Sequence, residues 1–329
     1  EMSGNHNQDI NQAYKIIVAA IVARADAVKM QSYTADTITI NCDNKYFQVK
    51  VNDAWKGQTL YNLYKKAYTP WEWQIKLKKY GESKGILVFS TPFDAKAVDF
   101  LEKLNVAIYK VASFEVVDIP LLKKIGQTKK PVIMSRGMAS VKEIKLAIKT
   151  LKKSGCPQVA ILHCVSGYPA KPEEMNLATI ANIVKKFRVV AGLSDHSLGT
   201  TVSLTSVALG ASIIEKHLII KRSAGGPDEA FSLEPQELKS LVQAVRQAER
   251  AIGQPNYKIT KSEAENIVFR KSLFAVKDIN SGGKFTQKNI RSIRPGYGLA
   301  PKYYDKILGK TAKIDMKKGT PLSWKSIKK

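Results

Sequence analysis

The stretch Gly192-Leu193-Ser194-Asp195-His196-Ser197-Leu198-Gly199 follows the apolar residues Val189, Val190 and Ala191, and it ends that run in an imidazole. A second apolar run, Ser212-Ile213-Ile214-Glu215, leads in the same way to His217. Short β-branched runs of this kind suit strands buried on both faces of a parallel sheet. In a parallel α/β barrel the strand ends share one rim, so neighbouring strands bring His196 and His217 together. The chain has only 4 histidines, and two stand at matching strand ends. We read them as ligands for a divalent metal rather than as two buried, satisfied side chains.

Outward from this pair, apolar runs alternate with helical patterns along most of the chain. Candidate strands are Ala25 to Met30, Ile86 to Ser90, Ala107 to Val111, Pro131 to Met134, Val159 to Leu162, Val189 to Leu193 and Ser212 to Glu215. Candidate helices include one carrying Ile10, Tyr14, Ile17 and Ile21, then Trp71 to Lys84, Asp94 to Leu104 and Pro235 to Ile252. The strands finish in polar or ionisable residues: Lys29 and Gln31; Thr91; Lys110, Ser113 and Glu115; Ser135; His163, Ser166 and Tyr168; Ser194 and His196; His217. An α/β TIM (β/α)8 barrel explains why every strand ends this way, with its first strand expected before Glu1. A doubly wound open sheet is the alternative, but it places its ligand at one switch point, and no Gly-rich dinucleotide fingerprint is present.

Residues Ser32 to Gly57 form a polar insertion with β-like pieces at Ile38 to Ile40 and Phe47 to Val51, long enough to be a functional loop. The barrel is expected over residues 1–253 and a linker over 254–270. Residues 271–329 then form a small β-rich module, near the size floor for an independent core, so it is expected to lean on another surface.

The charge is +25, from 53 Lys plus Arg against 28 Asp plus Glu. Such an excess raises nucleic acid or a membrane surface as partners. The lysines are spread over helix faces, as at Lys142, Lys145, Lys149, Lys152 and Lys153, with no aromatic-interleaved basic stripe. No specific nucleic-acid partner is expected; an anionic substrate is, and tail lysines such as Lys317, Lys318, Lys325, Lys328 and Lys329 add weak polyanion binding. No run approaches the roughly eighteen apolar residues of a membrane span, and the opening residues lack the basic, apolar, small-residue pattern of a signal sequence, so none is expected. Cys42, Cys156 and Cys164 lack the spacing of a zinc knuckle or redox pair, so reduced thiols and a cytoplasmic location are the expectation.

Lys29 and Lys110 with the hydroxyls of Thr91, Ser113, Ser135 and Ser194 make a phosphate and carboxylate pocket by composition: the cations neutralise and the hydroxyls orient. The alternative is that these lysines form structural ion pairs with Glu1, Glu115 or Glu215. Glu1 and Glu115 are the candidate general acid and base, and Asp228 and Gln31 are candidates to hold substrate hydroxyls.

At these residues a resemblance becomes close. Glu1-Met2-Ser3-Gly4-Asn5-His6-Asn7, Phe89-Ser90-Thr91-Pro92-Phe93-Asp94, Tyr109-Lys110-Val111-Ala112-Ser113, Gly192-Leu193-Ser194-Asp195-His196 and Glu215-Lys216-His217 resemble the sialic acid synthase family. Thr69-Pro70-Trp71-Glu72-Trp73 and Ala230-Phe231-Ser232-Leu233-Glu234-Pro235 are most similar to its pseudaminic acid synthases. Phe269 to Trp324, with Ile293-Arg294-Pro295-Gly296-Tyr297-Gly298, resembles the antifreeze-like (β-clip) domain that follows the barrel in that family.

The resemblance implies condensation of phosphoenolpyruvate with an open-chain acetamido sugar, releasing phosphate and a nine-carbon 2-keto acid. The pseudaminic-like motifs favour 2,4-diacetamido-2,4,6-trideoxy-altrose; the N-acetylneuraminate and legionaminate precursors are the alternatives. It further implies that His196 and His217 hold Mn²⁺ or Mg²⁺. Lys29, Thr91, Lys110, Ser113, Ser135 and Ser194 grip phosphoenolpyruvate, Glu1 handles the water or its proton, and Gln31, Tyr168 and Asp228 meet the sugar. Ser166 joins them as a substrate-binding candidate. Arg294 reaches the sugar's N-acetyl group from the partner subunit of a domain-swapped homodimer. Three positions depart from the pattern: Arg136 after the phosphate-binding serine, Val165 within Cys164-Val165-Ser166, and Arg24 where glycine is usual. Arg136 is expected to add phosphate affinity or to block the pocket. A truncated relative that binds ligand without turnover, and a polyanion-binding protein without catalysis, are the competing readings.

Overall fold

The computed structural model describes residues 1–50 and 56–328. Val51, at the end of one expected β-like piece, and the terminal Lys329 lie outside the described residues. The chain forms two compact units, Glu1–Gly253 and Gln254–Lys329.

The first unit is built on seven parallel strands in sequential order: β1 (Ala27–Ser32), β2 (Leu87–Pro92), β3 (Tyr109–Val111), β4 (Val132–Ser135), β5 (Val159–Cys164), β6 (Val190–Asp195) and β7 (Ile214–Lys216). Parallel neighbours need crossovers, and helices such as Trp71–Ser83, Ala95–Lys103, Ile119–Gln127 and Val141–Lys153 supply them. The last of these shows how sequence sets such a helix. Ser140 and Glu143 form a reciprocal cap at its start, and Ile144, Ala147 and Leu151 share the buried face. Leu151 is fully buried, so truncating it to alanine is expected to cost about 2–5 kcal/mol.

The sheet curls until its ends share one core. Met2, Val28 and Met30 from the β1 side pack in the same cluster as Leu218, Leu233 and Leu238, which follow β7. Residues 1 and 2 tie the two edges at the rim: Met2 N–H donates to the Lys29 carbonyl at 3.0 Å, and the Leu218 N–H donates to the Glu1 carbonyl at 2.9 Å. Below that tie, between β1 and β7, lies a cavity of about 510 Å³ lined by Ile16, Ala20, Val28, Ile214 and Leu238 among others. The expected barrel is therefore present, among the described residues, as seven parallel strands curled until the first and the last share one core.

Register in the curl is held by a buried ion pair. Asp195 on β6 is paired with Lys216 on β7, their charged atoms 3.0 Å apart, and Ser203 donates to the same carboxylate at 2.5 Å. Breaking one partner of such a pair leaves an uncompensated buried charge.

Within the insertion after β1, Ala35–Ile38 is a short helical turn capped by Thr34 rather than the expected β-like piece. Four residues with a reciprocal Thr34 and Thr37 cap satisfy their own backbone, which a lone strand at this place does not. Phe47 to Val49 pairs with Gln58 to Leu60 through antiparallel hydrogen bonds of 2.8 Å, and the helix Leu60–Ala67 follows.

The second unit pairs β8 (Ser272–Ala275) antiparallel with β9 (Ile290–Ile293) around Leu273, Phe285, Ile307, Met316 and Leu322. The expected linker is not featureless: Thr260 caps a helical turn at Lys261–Ala264, and a 3₁₀ turn follows at Glu265–Phe269. No helix among the described residues is long and apolar enough to cross a membrane.

Candidate active site

A cavity of about 1080 Å³ opens at the carboxyl ends of the strands. Its size is slightly above the roughly 300–1,000 Å³ usual for small-molecule sites. Strand alternation explains what it contains. On β1, Val28 and Met30 face the outer core while Lys29 and Gln31 line the cavity. At the ends of β6 and β7 the same alternation sends Asp195 and Lys216 outward to each other and Ser194, His196, Glu215 and His217 inward.

The residues expected at the rim converge. Glu1, Lys29, Gln31, Thr91, Lys110 and Ser113 line the cavity, as do Glu115, Ser135, Ser166, Tyr168, Ser194, His196, His217 and Asp228. Arg294 belongs to the other compact unit, where it is exposed just past β9. Sequence reasoning passed over Cys164 and the wall formed by Tyr33, Leu63, Tyr64 and Phe93, and it treated Glu215 only as an ion-pair partner. Glu215 was legible through alternation, on β7 two residues before His217 just past its end. The wall was not, because it depends on how the insertion folds back.

Both lysines are buried and already engaged. Lys29 donates to Thr91 Oγ1 at 3.2 Å and also meets the Glu1 carboxylate; Lys110 donates to Ser135 Oγ at 2.7 Å. The Glu215 carboxylate stands between them, 3.5 Å from Lys29 Nζ and 3.4 Å from Lys110 Nζ. The ion-pair and anion-pocket readings therefore coexist for Glu1 and Glu215. Burial lowers Lys29 to about 8, although the Glu215 charge opposes that shift. Burial alone raises a carboxyl, but Lys110 and Lys29 hold Glu215 well below the usual range. Glu115 is different: burial pushes it up to about 7, and its Oε2 has no hydrogen-bond partner.

Ser113 and Ser166 join their hydroxyls at 2.9 Å. Gly137 makes room for them. Its φ is +46°, and a Cβ there would lie 2.4 Å from Ser113 Cβ and 3.1 Å from Ser166 Oγ. The neighbouring Arg136, expected to add phosphate affinity or to block the pocket, is not among the residues that line the cavity. Its Nε donates to His163 Nδ1 at 3.1 Å, and the other ring nitrogen of His163 engages the Met175 carbonyl. His163 is fully buried in that contact, so it is a structural histidine rather than a rim residue.

The imidazoles of His196 and His217 meet edge to face with ring centroids 5.4 Å apart. The Val165 carbonyl lies 3.1 Å from His196 Nδ1, and since a carbonyl only accepts, Nδ1 carries the proton and Nε2 keeps its lone pair. The backbone at Val165 supplies this contact, so losing a hydroxyl at that position does not disturb it. His217 Nδ1 sits 3.5 Å from the Asp228 carboxylate and has no hydrogen-bond partner among the described residues. Burial lowers His196 to about 4 and lowers His217 too, which leaves both rings neutral. Neutral rings, each oriented through one nitrogen, fit a divalent metal. Among the described residues no group of three or more His, Cys, Asp or Glu side chains is arranged to hold one. Two rings would leave the remaining coordination positions to water and substrate.

Residues 16–257 match the NeuB family, and residues 270–328 match the SAF domain. The chain is 42% identical over 322 residues to the pseudaminic acid synthase of Campylobacter jejuni subsp. jejuni serotype O:2, covering 98% of this chain and 94% of that protein. The N,N'-diacetyllegionaminic acid synthase of the same strain is 39% identical, covering 95% and 94%. Among solved structures, the N-acetylneuraminic acid (sialic acid) synthetase from Leptospira borgpetersenii serovar Hardjo-bovis, in complex with citrate, has a TM-score of 0.70 and 35% identity, over 80% of this chain and 87% of that one. With the barrel, the rim and these relatives in agreement, the chain belongs to the NeuB family.

Proposed function

We propose that the chain is a pseudaminic acid synthase, condensing phosphoenolpyruvate with 2,4-diacetamido-2,4,6-trideoxy-altrose to give phosphate and a nine-carbon 2-keto sugar acid. The observation that carries this reading is the meeting of two buried lysines, their hydroxyl partners and two neutral imidazoles in one cavity. C3 of phosphoenolpyruvate forms the new bond to the aldehyde carbon. Water adds at C2, and the C2–O bond to phosphate breaks.

Lys29 and Lys110 neutralise the carboxylate and phosphate, exchanging part of their pairing with Glu215 and Glu1 for the substrate. Thr91, Ser113, Ser135 and Ser194 orient those oxygens. Glu1 receives the proton of the attacking water, fixed by the Ser3 N–H at 2.5 Å from its Oε1. Glu115, with its carboxyl near neutrality, exchanges a proton with the sugar. Gln31, Ser166, Tyr168 and Asp228 hold the sugar. His196 and His217 would hold Mn²⁺ or Mg²⁺, which when bound supplies Lewis-acid polarisation of the aldehyde oxygen.

In this reading two copies form a domain-swapped homodimer and Arg294 reaches the partner's sugar; its exposure past β9 supports that role. The reaction is cytoplasmic, where phosphoenolpyruvate is made. The test is phosphate release by purified protein with Mn²⁺, phosphoenolpyruvate and isomeric 2,4-diacetamido sugars, with the product identified by NMR. Release of phosphate with the altro isomer supports the proposal. The legionaminic relative favours one other outcome, a preference for the legionaminic precursor, which would move the chain to that specificity.

A further inference from the structure

Four rings meet where β6 and β7 end: His196, His217, Tyr168 and Phe231. The first three line the cavity, whereas Phe231 is buried and is not among the lining residues. Its centroid lies 5.7 Å from that of His196, 4.9 Å from that of His217 and 5.4 Å from that of Tyr168. Its plane stands at 90° to the His196 ring and at 70° to the His217 ring. One apolar ring is thus set across both imidazoles.

Local structure holds that ring still. Phe231 ends the 3₁₀ turn Glu229–Phe231, and the residues around it are tied on both sides. Ser232 Oγ donates to the Asp228 carbonyl at 2.6 Å and accepts from Asn5 Nδ2 at 2.8 Å. The Leu233 N–H donates to the carbonyl of His217 itself at 2.8 Å. The turn is therefore fastened to the backbone of one of the two imidazoles against which it packs.

Polar contacts alone leave the imidazoles free to pivot. The main anchor of His196 is the Val165 carbonyl, 3.1 Å from Nδ1, and the ring can still turn about that contact. For His217 the Asp228 carboxylate is 3.5 Å away, too far for a firm hydrogen bond. Two rings that share one ion must aim their free nitrogens at the same point, to within about 0.5 Å and 10–20°. A flat side chain packed against both removes the remaining freedom.

We propose that Phe231 is a positioning residue for the metal centre, its ring fixing the planes of His196 and His217 so that both aim at one divalent ion. The proposal rests on the metal-binding reading of the two histidines and adds a residue that does not itself line the cavity.

The experiment titrates Mn²⁺ alone into the full chain, followed by electron paramagnetic resonance, and separately titrates phosphoenolpyruvate into metal-free protein by calorimetry. Phe231→Leu keeps apolar volume but loses the flat ring; Phe231→Ala loses both. Mn²⁺ binding is expected to weaken by about 10-fold in the leucine variant and by up to about 100-fold in the alanine variant. Phosphoenolpyruvate affinity is expected to stay unchanged, because Lys29 and Lys110 stand on other strands, β1 and β3. If Phe231→Ala does not fold, the leucine variant carries the test. A folded variant with wild-type Mn²⁺ affinity overturns the proposal. Parallel losses for Mn²⁺ and phosphoenolpyruvate overturn it too, since they report general loosening rather than aim. Failure of both variants to fold makes Phe231 a residue of the core and has the same result. Each of these outcomes leaves the metal reading standing, whereas a wild type that binds no Mn²⁺ overturns that reading and the role of Phe231 with it.

Discussion

Glu215 Oε2 lies 3.4 Å from Lys110 Nζ, so this cation, like Lys29, already holds a carboxylate. The same side chain reaches Lys29 with its other oxygen, and through that contact it works against the loss of charge that burial imposes on Lys29. Lys29 is cationic below about pH 8 and neutral above it. Affinity for a phosphoenolpyruvate trianion is therefore present below that pH and is lost as pH rises through it. The expected kcat/KM for phosphoenolpyruvate falls on the alkaline side of about 8. In Glu215→Gln the opposing charge is gone, and the fall moves to lower pH. A pH profile whose alkaline limb stays in place in that variant would show that Lys29 is not the group being read.

Glu115 supplies a second titration, with stability as well as rate as a readout. Burial raises its carboxyl from 4.5 to about 7 in the folded chain. A raised folded value favours the protonated form, so the contribution to stability is complete below the unfolded value and disappears as pH climbs through about 7. Wild type is therefore expected to lose stability relative to Glu115→Gln between those two values, by up to about 3 kcal/mol. Thermal melts across that range measure the difference. If Glu115 also moves a proton in the reaction, Glu115→Gln lowers kcat by about 10²–10⁴-fold and removes the limb near neutrality.

The strand ends were legible because one rule governs them: in a parallel barrel, alternation and chain direction together decide which side chains reach the rim. Lys29, Lys110, Ser135, Ser194 and His196 all follow from it. Two kinds of feature did not. His163 ends a strand as His196 does, but the Arg136 guanidinium and the Met175 carbonyl claim both of its ring nitrogens, and neither partner is predictable from spacing. The apolar wall was hidden for a different reason. The helix Leu60–Ala67 is short and lies in a polar insertion, and its single buried residue, Leu63, gives too little periodicity to betray a packed face.

Removal of metal separates the two imidazoles from the anion pocket. With EDTA, phosphate release is expected to stop and to return on adding Mn²⁺. His196→Ala and His217→Ala proteins should show no protein-bound signal when Mn²⁺ is titrated by electron paramagnetic resonance. Asp228→Asn is expected to weaken binding by about 10–100-fold, because the neutral amide orients His217 less firmly than a carboxylate. Full Mn²⁺ binding in the His217→Ala protein would remove that residue from the ligand set.

Arg24 tests whether backbone strain is stored near the start of the barrel. It closes the helix Ile10–Val22 at φ +60°, and the following Ala25 N–H reaches back to the Ala20 carbonyl at 3.0 Å, the geometry of a helix end that favours glycine. A side chain in this left-handed region costs about 1–2 kcal/mol. Arg24 is exposed, so its guanidinium can be removed without opening the core. Glycine relieves the strain but gives back roughly 0.4–1 kcal/mol by widening the unfolded ensemble. Arg24→Gly is therefore expected to gain between about 0 and 1.6 kcal/mol, raising Tm by no more than about 6 °C. Arg24→Ala isolates the cause. Alanine deletes the charged group but keeps the Cβ that crowds the backbone, so no gain is expected, and a melt in which alanine stabilises as much as glycine would trace the effect to the arginine side chain instead of to φ.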